Sequence, residues 1–414
     1  MATKRSLALL LVATLALVAL GCSSERKGAT ASPTAVVKGA AELPDFYGVP
    51  DPLPAARPGT LIKSEPVEVA GLDGSMLRVM YHSTTIDGRD IAVTGLILIP
   101  KGTAPSGGWP IITWAHGTTG IADICAPSLK PTDFVQLANG LLGAGYLVVA
   151  TDYEGLGTPG LHPYIVGESE AHGTLDIVRM AQSFPNANAS KRYAIWGHSQ
   201  GGHAAMFAGH IAKTYAPDIE LVADVAGAPP SQLLLVNAAL QQSPYKHYIA
   251  MVAAAMNAAY GDQKANLDQV LTPDGIAFLS NMETKCSGDL GKAAAALDFS
   301  KLQKADPASI PTWNQLLKDN DPGTFSAPIP VPLLIIHGGN DEQIPVVSSA
   351  ALFDQLCKIG QVEQRWVFAG QSHAGVIAPS FTSMVSWIGD RFAGKPMPDP
   401  ISPEGAVVQS CPAR

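Results

Sequence analysis

Tyr193-Ala194-Ile195-Trp196-Gly197-His198-Ser199-Gln200-Gly201-Gly202 carries the chain from a short apolar run into a helical period that continues to Lys213. The run reads as a buried strand and Gly-x-Ser-x-Gly at its end as a sharp strand-to-helix turn. Such a turn is strained. Small residues two positions either side of Ser199 let strand and helix approach while the hydroxyl projects free. A bare Gly-x-Ser-x-Gly is common by chance, but one lodged between a strand and a helix points to a nucleophilic serine.

Outward from this turn, apolar runs and helical periods alternate. Strands are expected at 76–83, 91–99, 111–114, 146–151, 193–196, 221–225, 333–336 and 364–368. The first two alternate in polarity and are joined by Asp87-Gly88, a hairpin signal; the later ones are short apolar runs suited to burial on both faces. Helices are expected at 133–142, 169–183, 202–213, 348–359 and 380–392. Strands and helices in turn predict an α/β fold with a mostly parallel eight-stranded sheet, the α/β-hydrolase pattern. Residues 228–327 break the alternation with Ala-rich helical sequence, read as a helical cap inserted after the sixth main strand. Its apolar stretch 248–259 is too short to span a bilayer and reads as a cap helix.

A serine hydroxyl needs a base, and the base needs an orienting carboxylate. In this fold the order is Ser, acid, His. Asp341 follows the strand Leu333-Leu334-Ile335-Ile336, and His373 follows the strand that ends at Phe368. Both fall where active sites of open α/β sheets lie, at strand C-termini. Glu342 is a rival acid, but a shift of one residue points it away. His172, His198, His203 and His337 are read as structural. The oxyanion formed on attack needs preorganised donors. The backbone N–H of Gln200 is one, and Gly117 or Thr118, in His116-Gly117-Thr118-Thr119-Gly120 after the strand 111–114, is the other. Asp152-Tyr153-Glu154-Gly155-Leu156-Gly157 ends another strand at the same sheet edge and reads chiefly as a structural turn, with lining of the pocket as the alternative.

The 414 residues are 47% apolar and 15% charged, ordinary for a folded globular chain. Lys4 and Arg5 before the apolar run 7–20 read as an export signal, residues 1–21. Leu20-Gly21-Cys22 resembles a bacterial lipobox, with Ala19 where leucine is usual; on that reading Cys22 is lipidated and anchors the protein to the membrane, with ordinary cleavage as the alternative. Residues 22–44 then form a flexible tether and 45–414 the catalytic domain, beginning with a Pro-rich arm to Pro66. Loss of Lys4 and Arg5 leaves 25 basic against 35 acidic residues, a net charge of −10, which speaks against a nucleic-acid partner. Cys125, Cys286, Cys357 and Cys411 suggest two disulfides in an exported chain, with three pairings open. No Cys-x-x-Cys or close Cys/His pair is present, so no metal is expected.

Several segments together resemble a family. AHGTTG at Ala115 with CAPS at Cys125, the long DYEGLGTPGLHPYIVGESEAHGTLDIVR from Asp152, GHSQGGHAA from Gly197, HGGNDEQIP from His337 and SHAG from Ser372 are similar to the secretory lipases of yeasts and actinobacteria, α/β hydrolases of the Candida antarctica lipase A type. The segments span 113–374, and the one from Asp152 is the most specific. The resemblance implies a capped α/β-hydrolase core, no cofactor, activity on acylglycerols or other lipophilic esters, and Ser199, Asp341 and His373 as the triad. It also implies the pairs Cys125–Cys286 and Cys357–Cys411. In one respect the chain departs from the family: the yeast enzyme has an acidic residue in the oxyanion loop, where Thr118 and Thr119 stand here.

The expectation is therefore an exported serine hydrolase that cleaves lipid carboxylic esters through an acyl-enzyme. Its rivals are an acyltransferase, a short-chain or aromatic esterase on the same triad, and a non-catalytic surface lipid-binding protein. Acyl length, natural substrate and oligomeric state are not legible.

Overall fold

The computed structural model describes residues 43–398 and 401–411. The export signal, Cys22 and nearly all of the tether lie outside them.

Ten strands form one sheet in the order β1-β2-β3-β5-β4-β6-β7-β8-β9-β10. They are β1 (Leu61–Pro66), β2 (Gly74–Thr84), β3 (Asp90–Pro100), β4 (Trp109–Ala115), β5 (Leu147–Thr151), β6 (Ala189–His198), β7 (Glu220–Gly227), β8 (Leu333–Gly338), β9 (Glu363–Phe368) and β10 (Ala406–Ser410). The eight expected strands are all present, and the count of eight is corrected by one further strand at each edge. β1 lies in the stretch read as an arm, and β10 follows the last expected element. Both pair antiparallel with their neighbours, and both are partly exposed, so neither carries the apolar run that marks a buried strand.

In sheet order, the six strands from β5 to β9 run parallel. β5 and β8 are buried at every position, because helices cover both faces. The helices are α1 (Val135–Gly143), α2 (Gly167–Ser183), α3 (Gln200–Tyr215), α4 (Leu233–Leu240), α5 (His247–Tyr260), α6 (Leu267–Val270), α7 (Pro273–Phe278), α8 (Ser287–Ala295), α9 (Pro311–Asp319), α10 (Val346–Ile359) and α11 (Ile377–Phe392). On one face Leu141 of α1 and Met384 and Trp387 of α11 pack against Val148, Trp196 and Trp366. On the other, Leu175 and Val178 of α2 and Ala205 and Ala208 of α3 pack against Val149, Tyr193 and Ile195. Small residues on α3 let that helix lie close to the sheet.

Helices α4 to α9 form the cap within the expected insertion. Its own core holds Met251, Ala255, Trp313 and Leu316, and it sits on the sheet-edge loops through Ile121, Tyr164 and Val166. The cap is tied to the oxyanion-loop region by the Cys125–Cys286 disulfide, and α10 to the tail by Cys357–Cys411. Both are the pairs the resemblance implied. No helix among the described residues is long and apolar enough to cross a membrane.

Candidate active site

Ser199 stands between β6 and α3 with φ 59° and ψ −124°, a conformation that non-glycine residues rarely adopt and that costs of order 1–3 kcal/mol. Surrounding packing holds it there. The Ser199 N–H donates to Gly227 O at 2.8 Å. A Cβ on Gly197 would collide with Gly201 O, and one on Gly201 would collide with Ala115 O. The two glycines of the motif are thus required by close backbone approach.

Asp341 and His373 meet at the ends of β8 and β9. His373 Nδ1 lies 2.7 Å from Asp341 Oδ2. Asp341 Oδ1 accepts from the backbone N–H groups of Gln343 and Ile344 at 2.9 and 2.8 Å. A second imidazole, Nε2 of His337, approaches Oδ2 at 3.1 Å. Burial would raise the Asp341 carboxyl, but the hydrogen bonds from His337 and His373 and the electrostatic pull of His373 hold it well below the usual carboxylate range. Glu342 faces the backbone instead, accepting from the His373 N–H at 3.0 Å. His373 Nε2 is buried and, among the described residues, has no hydrogen-bond partner. It lines one cavity with Ser199.

The other histidines have structural surroundings. His198 lies tilted beside His373, with ring centroids 4.9 Å apart, and burial, helped by His373, pushes its ring down to about 3, so it is neutral. His172 Nδ1 meets Thr84 O at 2.9 Å. His203 pairs with a buried carboxylate, that of Glu170. Asp152 borders the cavity that holds Ser199 and His373, and its buried carboxylate accepts from the Ser128 N–H at 2.9 Å and the Thr94 hydroxyl at 2.7 Å. It pins the Cys125 to Ser128 segment to β3, which is the structural reading.

Gln200 opens α3, so its N–H faces the helix N-terminus with no intrahelical acceptor. Gly117 packs against the elbow, since a Cβ there would lie 3.6 Å from the Ser199 Cβ. Thr118 lines the same cavity, its hydroxyl turned to Tyr164 Oη at 3.0 Å.

What the sequence reading missed is a polar cluster behind the elbow. The Gln200 side-chain amide donates to Glu170 Oε1 at 2.9 Å and to His162 Nε2 at 2.6 Å. Glu170 Oε1 also accepts from the Ile165 N–H, and it is Oε2 that pairs with His203. The signal for it is the long segment from Asp152, which supplies His162 in the loop before α2 and Glu170 on α2 itself.

Two cavities meet at Ser199. The larger, about 610 Å³, carries His373, Gly117 and Thr118 and runs past the Cys125–Cys286 disulfide to Trp114, Phe134 and Leu137. The smaller, about 60 Å³, enters the cap between Leu233, Val236, Val252 and Trp313.

Known proteins resemble this chain over most of its length. A secreted triacylglycerol lipase of Malassezia globosa, LIP4, is 25% identical over 375 residues, 84% of this chain and 81% of its own. A Mycobacterium tuberculosis protein described as "Probable inactive lipase" is 25% identical over 86% of this chain and 83% of its own. Candida antarctica lipase A in its closed state has a TM-score of 0.74 at 20% identity, covering 86% of this chain and 88% of that one. The rice cell wall degrading esterase LipA of Xanthomonas oryzae has a TM-score of 0.68 at 19% identity, covering 82% and 99%. These likenesses show an α/β-hydrolase fold. The model of the secretory lipase family matches residues 132–399, and the chain belongs to that family.

Proposed function

We propose that this protein is a carboxylic ester hydrolase acting on lipophilic esters, with Ser199 as nucleophile, His373 as general base and acid, and Asp341 as the carboxylate that orients it. The observation that carries the reading is the buried, unpartnered Nε2 of His373, its ring held at Nδ1 by Asp341 and sharing a cavity with Ser199. A hydrogen bond from Nδ1 to Asp341 leaves Nε2 as the basic nitrogen. It takes the Ser199 proton as Oγ bonds to the ester carbonyl carbon. The carbonyl oxygen becomes an oxyanion beside the N–H groups of Gln200 and of Gly117 or Thr118, each worth about 3 kcal/mol. Collapse breaks the bond to the alcohol oxygen, which leaves with the proton from Nε2. Water, deprotonated by the same nitrogen, then releases the acid and restores Ser199.

An intact constellation favours this over a non-catalytic lipid-binding protein, the reading that the inactive relative keeps in view. Replacement of Ser199 by Ala should abolish p-nitrophenyl butanoate hydrolysis and leave the thermal transition in place. Full turnover by the Ser199→Ala protein would sink the assignment, and no turnover by the native protein on any ester would favour the binding module.

The same proposal places the enzyme outside the cytoplasm, as the secreted relatives are described, and fixes it to the membrane through a lipidated Cys22. The positive leader and the small residues before Cys22 support this. A Cys22→Ser chain that still fractionates with membranes would overturn the anchor.

A further inference from the structure

The Asp341 carboxylate meets a donor at each of its lone-pair sites. The backbone N–H groups of Gln343 and Ile344 take Oδ1, and Oδ2 faces Nδ1 of His373 at 2.7 Å and Nε2 of His337 at 3.1 Å. The last of these donors stands at the end of an apolar run, Leu333-Leu334-Ile335-Ile336-His337, that builds β8. His337 exposes no surface. Its Nδ1 has no hydrogen-bond partner among the described residues, so one side of the ring is buried at a loss that an apolar side chain would avoid. The other side must offset it. There Nε2 meets two acceptors, Asp341 Oδ2 and, also at 3.1 Å, the Ile344 carbonyl oxygen. Two acceptors fix the ring hydrogen on that nitrogen.

We infer that His337 is a positioning residue for ester hydrolysis, holding the Asp341 carboxylate in the rotation that presents Oδ2 to His373. This rests on the hydrolase reading above and extends its machinery beyond Ser199, His373 and Asp341. Ile344 closes the device, because its N–H donates to Oδ1 while its carbonyl oxygen accepts from His337. The carboxylate is thus gripped at both oxygens. β8 is a firm base for the grip: it is buried at every position, and the loop that carries His373 is fastened to its end. Gly339 N–H donates to Phe368 O at 2.8 Å and Asn340 N–H to Gln371 O at 2.9 Å. Burial would raise the Asp341 carboxyl, and the hydrogen bond from His337 is the largest of the influences that hold it low, ahead of the one from His373. Without His337, Oδ2 loses the stop that fixes its direction, and the imidazole of His373 loses its alignment with Ser199. Substrate binding should not change, since His337 lines neither cavity at Ser199.

Steady-state kinetics on p-nitrophenyl butanoate tests this. His337→Phe fills the space without the donor, and kcat should fall about thirtyfold, the size of one hydrogen bond to a charged group, with KM changed less than threefold. His337→Gln offers an amide N–H in place of Nε2–H and should recover kcat to within fivefold of native. A double variant separates positioning from packing. On an Asp341→Asn background, His337→Phe should cost less than a further threefold, because the group it acts through is already lost. A further loss near thirtyfold makes His337 a packing residue and overturns the proposal. So does a fall confined to KM, or a Gln variant no better than the Phe variant. If the native protein cleaves no ester, the hydrolase reading fails by itself; in that case, or should His337→Phe not fold, NMR of the native protein labelled at the histidine ring nitrogens still reads the contact. The hydrogen of His337 should sit on Nε2, and Asp341→Asn should move its resonance. A hydrogen on Nδ1, or a resonance indifferent to Asp341→Asn, overturns the proposal.

Discussion

Glu170 Oε2 lies 2.6 Å from Nδ1 of His203, and neither side chain exposes any surface. His203 Nε2 faces Asn320 O at 2.7 Å. With an acceptor at each nitrogen, the ring donates from both and is an imidazolium. Burial opposes that charge, but Glu170 outweighs it through its own charge and hydrogen bond, so the His203 pKa is raised. The remaining oxygen of Glu170 holds the Gln200 side chain. A buried charge pair thus grips the first residue of α3, whose N–H is a proposed oxyanion donor, and Asn320 links the pair to the chain leaving the cap.

Replacement of Glu170 by Gln should therefore act on catalysis through position. We expect kcat on p-nitrophenyl butanoate to fall about tenfold, less than the 10² or more of an oxyanion donor removed outright, with KM changed less than threefold. A fall confined to KM would contradict the role. Stability should also fall, by roughly 3–5 kcal/mol for a broken buried pair. Because the folded pKa of His203 lies above its unfolded value near 6.5, its contribution is full below that pH and is lost as pH rises through the raised value. The gap in unfolding free energy between native and E170Q protein should thus be widest near pH 6 and narrow on the alkaline side; urea melts at several pH values measure it.

Asp341 and Glu342 are neighbours with opposite expected weights. Asp341 binds the ring of His373, and Glu342 binds only its backbone N–H. Asp341→Asn removes the charge that favours the imidazolium and presents an amide to it, so kcat should fall about 10⁴-fold. Glu342→Gln keeps an oxygen for the backbone N–H and should lower kcat less than tenfold. Steady-state kinetics on one ester separates the two, and equal losses would reassign the acid.

Much of this site was legible because each reacting residue follows a strand that announces itself. Leu333-Leu334-Ile335-Ile336 is an unbroken apolar run, and Asp341 stands in the loop that follows its strand. β1 and β10 were not legible: they pair at the edges largely through backbone, and Leu61 to Pro66 includes Lys63, Ser64 and Glu65. Glu170 and His203 were hidden for another reason. A polar residue on a helix normally faces water, and only the fold of the Asp152 segment over α3 turns these two inward. The disulfide pairing likewise came from resemblance, since four cysteines alone left three choices.

The two disulfides should differ in what they protect. Cys125–Cys286 joins segments 161 residues apart and borders the large cavity; Cys357–Cys411 spans 54 residues and holds α10 against the tail. Serine replacement of either pair should cost about 2–5 kcal/mol, with the longer loop at the upper end. Loss of the first pair should also raise KM for octyl butanoate at least threefold, because the cap is no longer tied beside Ser199. Loss of the second should lower the melting temperature alone. Calorimetry and kinetics on both double variants decide this.

Glu363 gives the last prediction, and its sign is fixed by burial. It is 2% exposed at the start of β9, with Oε1 3.5 Å from the sulfurs of both Cys357 and Cys411. Oε2 has no hydrogen-bond partner among the described residues. Burial, helped by Asp354, pushes its carboxyl up to about 9, so it is neutral in the folded protein at neutral pH. In the unfolded chain it ionises near 4.3. Between those values unfolding releases a proton, and stability falls as pH rises. By pH 7.5 the penalty approaches ~4 kcal/mol, three units at 1.36 kcal/mol each. An amide in its place would not titrate. Glu363→Gln should then match or trail the native protein near pH 4.5, where the penalty is absent, and gain on it steadily up to about pH 9. Urea unfolding at pH 4.5, 6, 7.5 and 9 measures the gap. A gap independent of pH would show that the carboxyl is ionised in the folded state, and the raised pKa would be wrong.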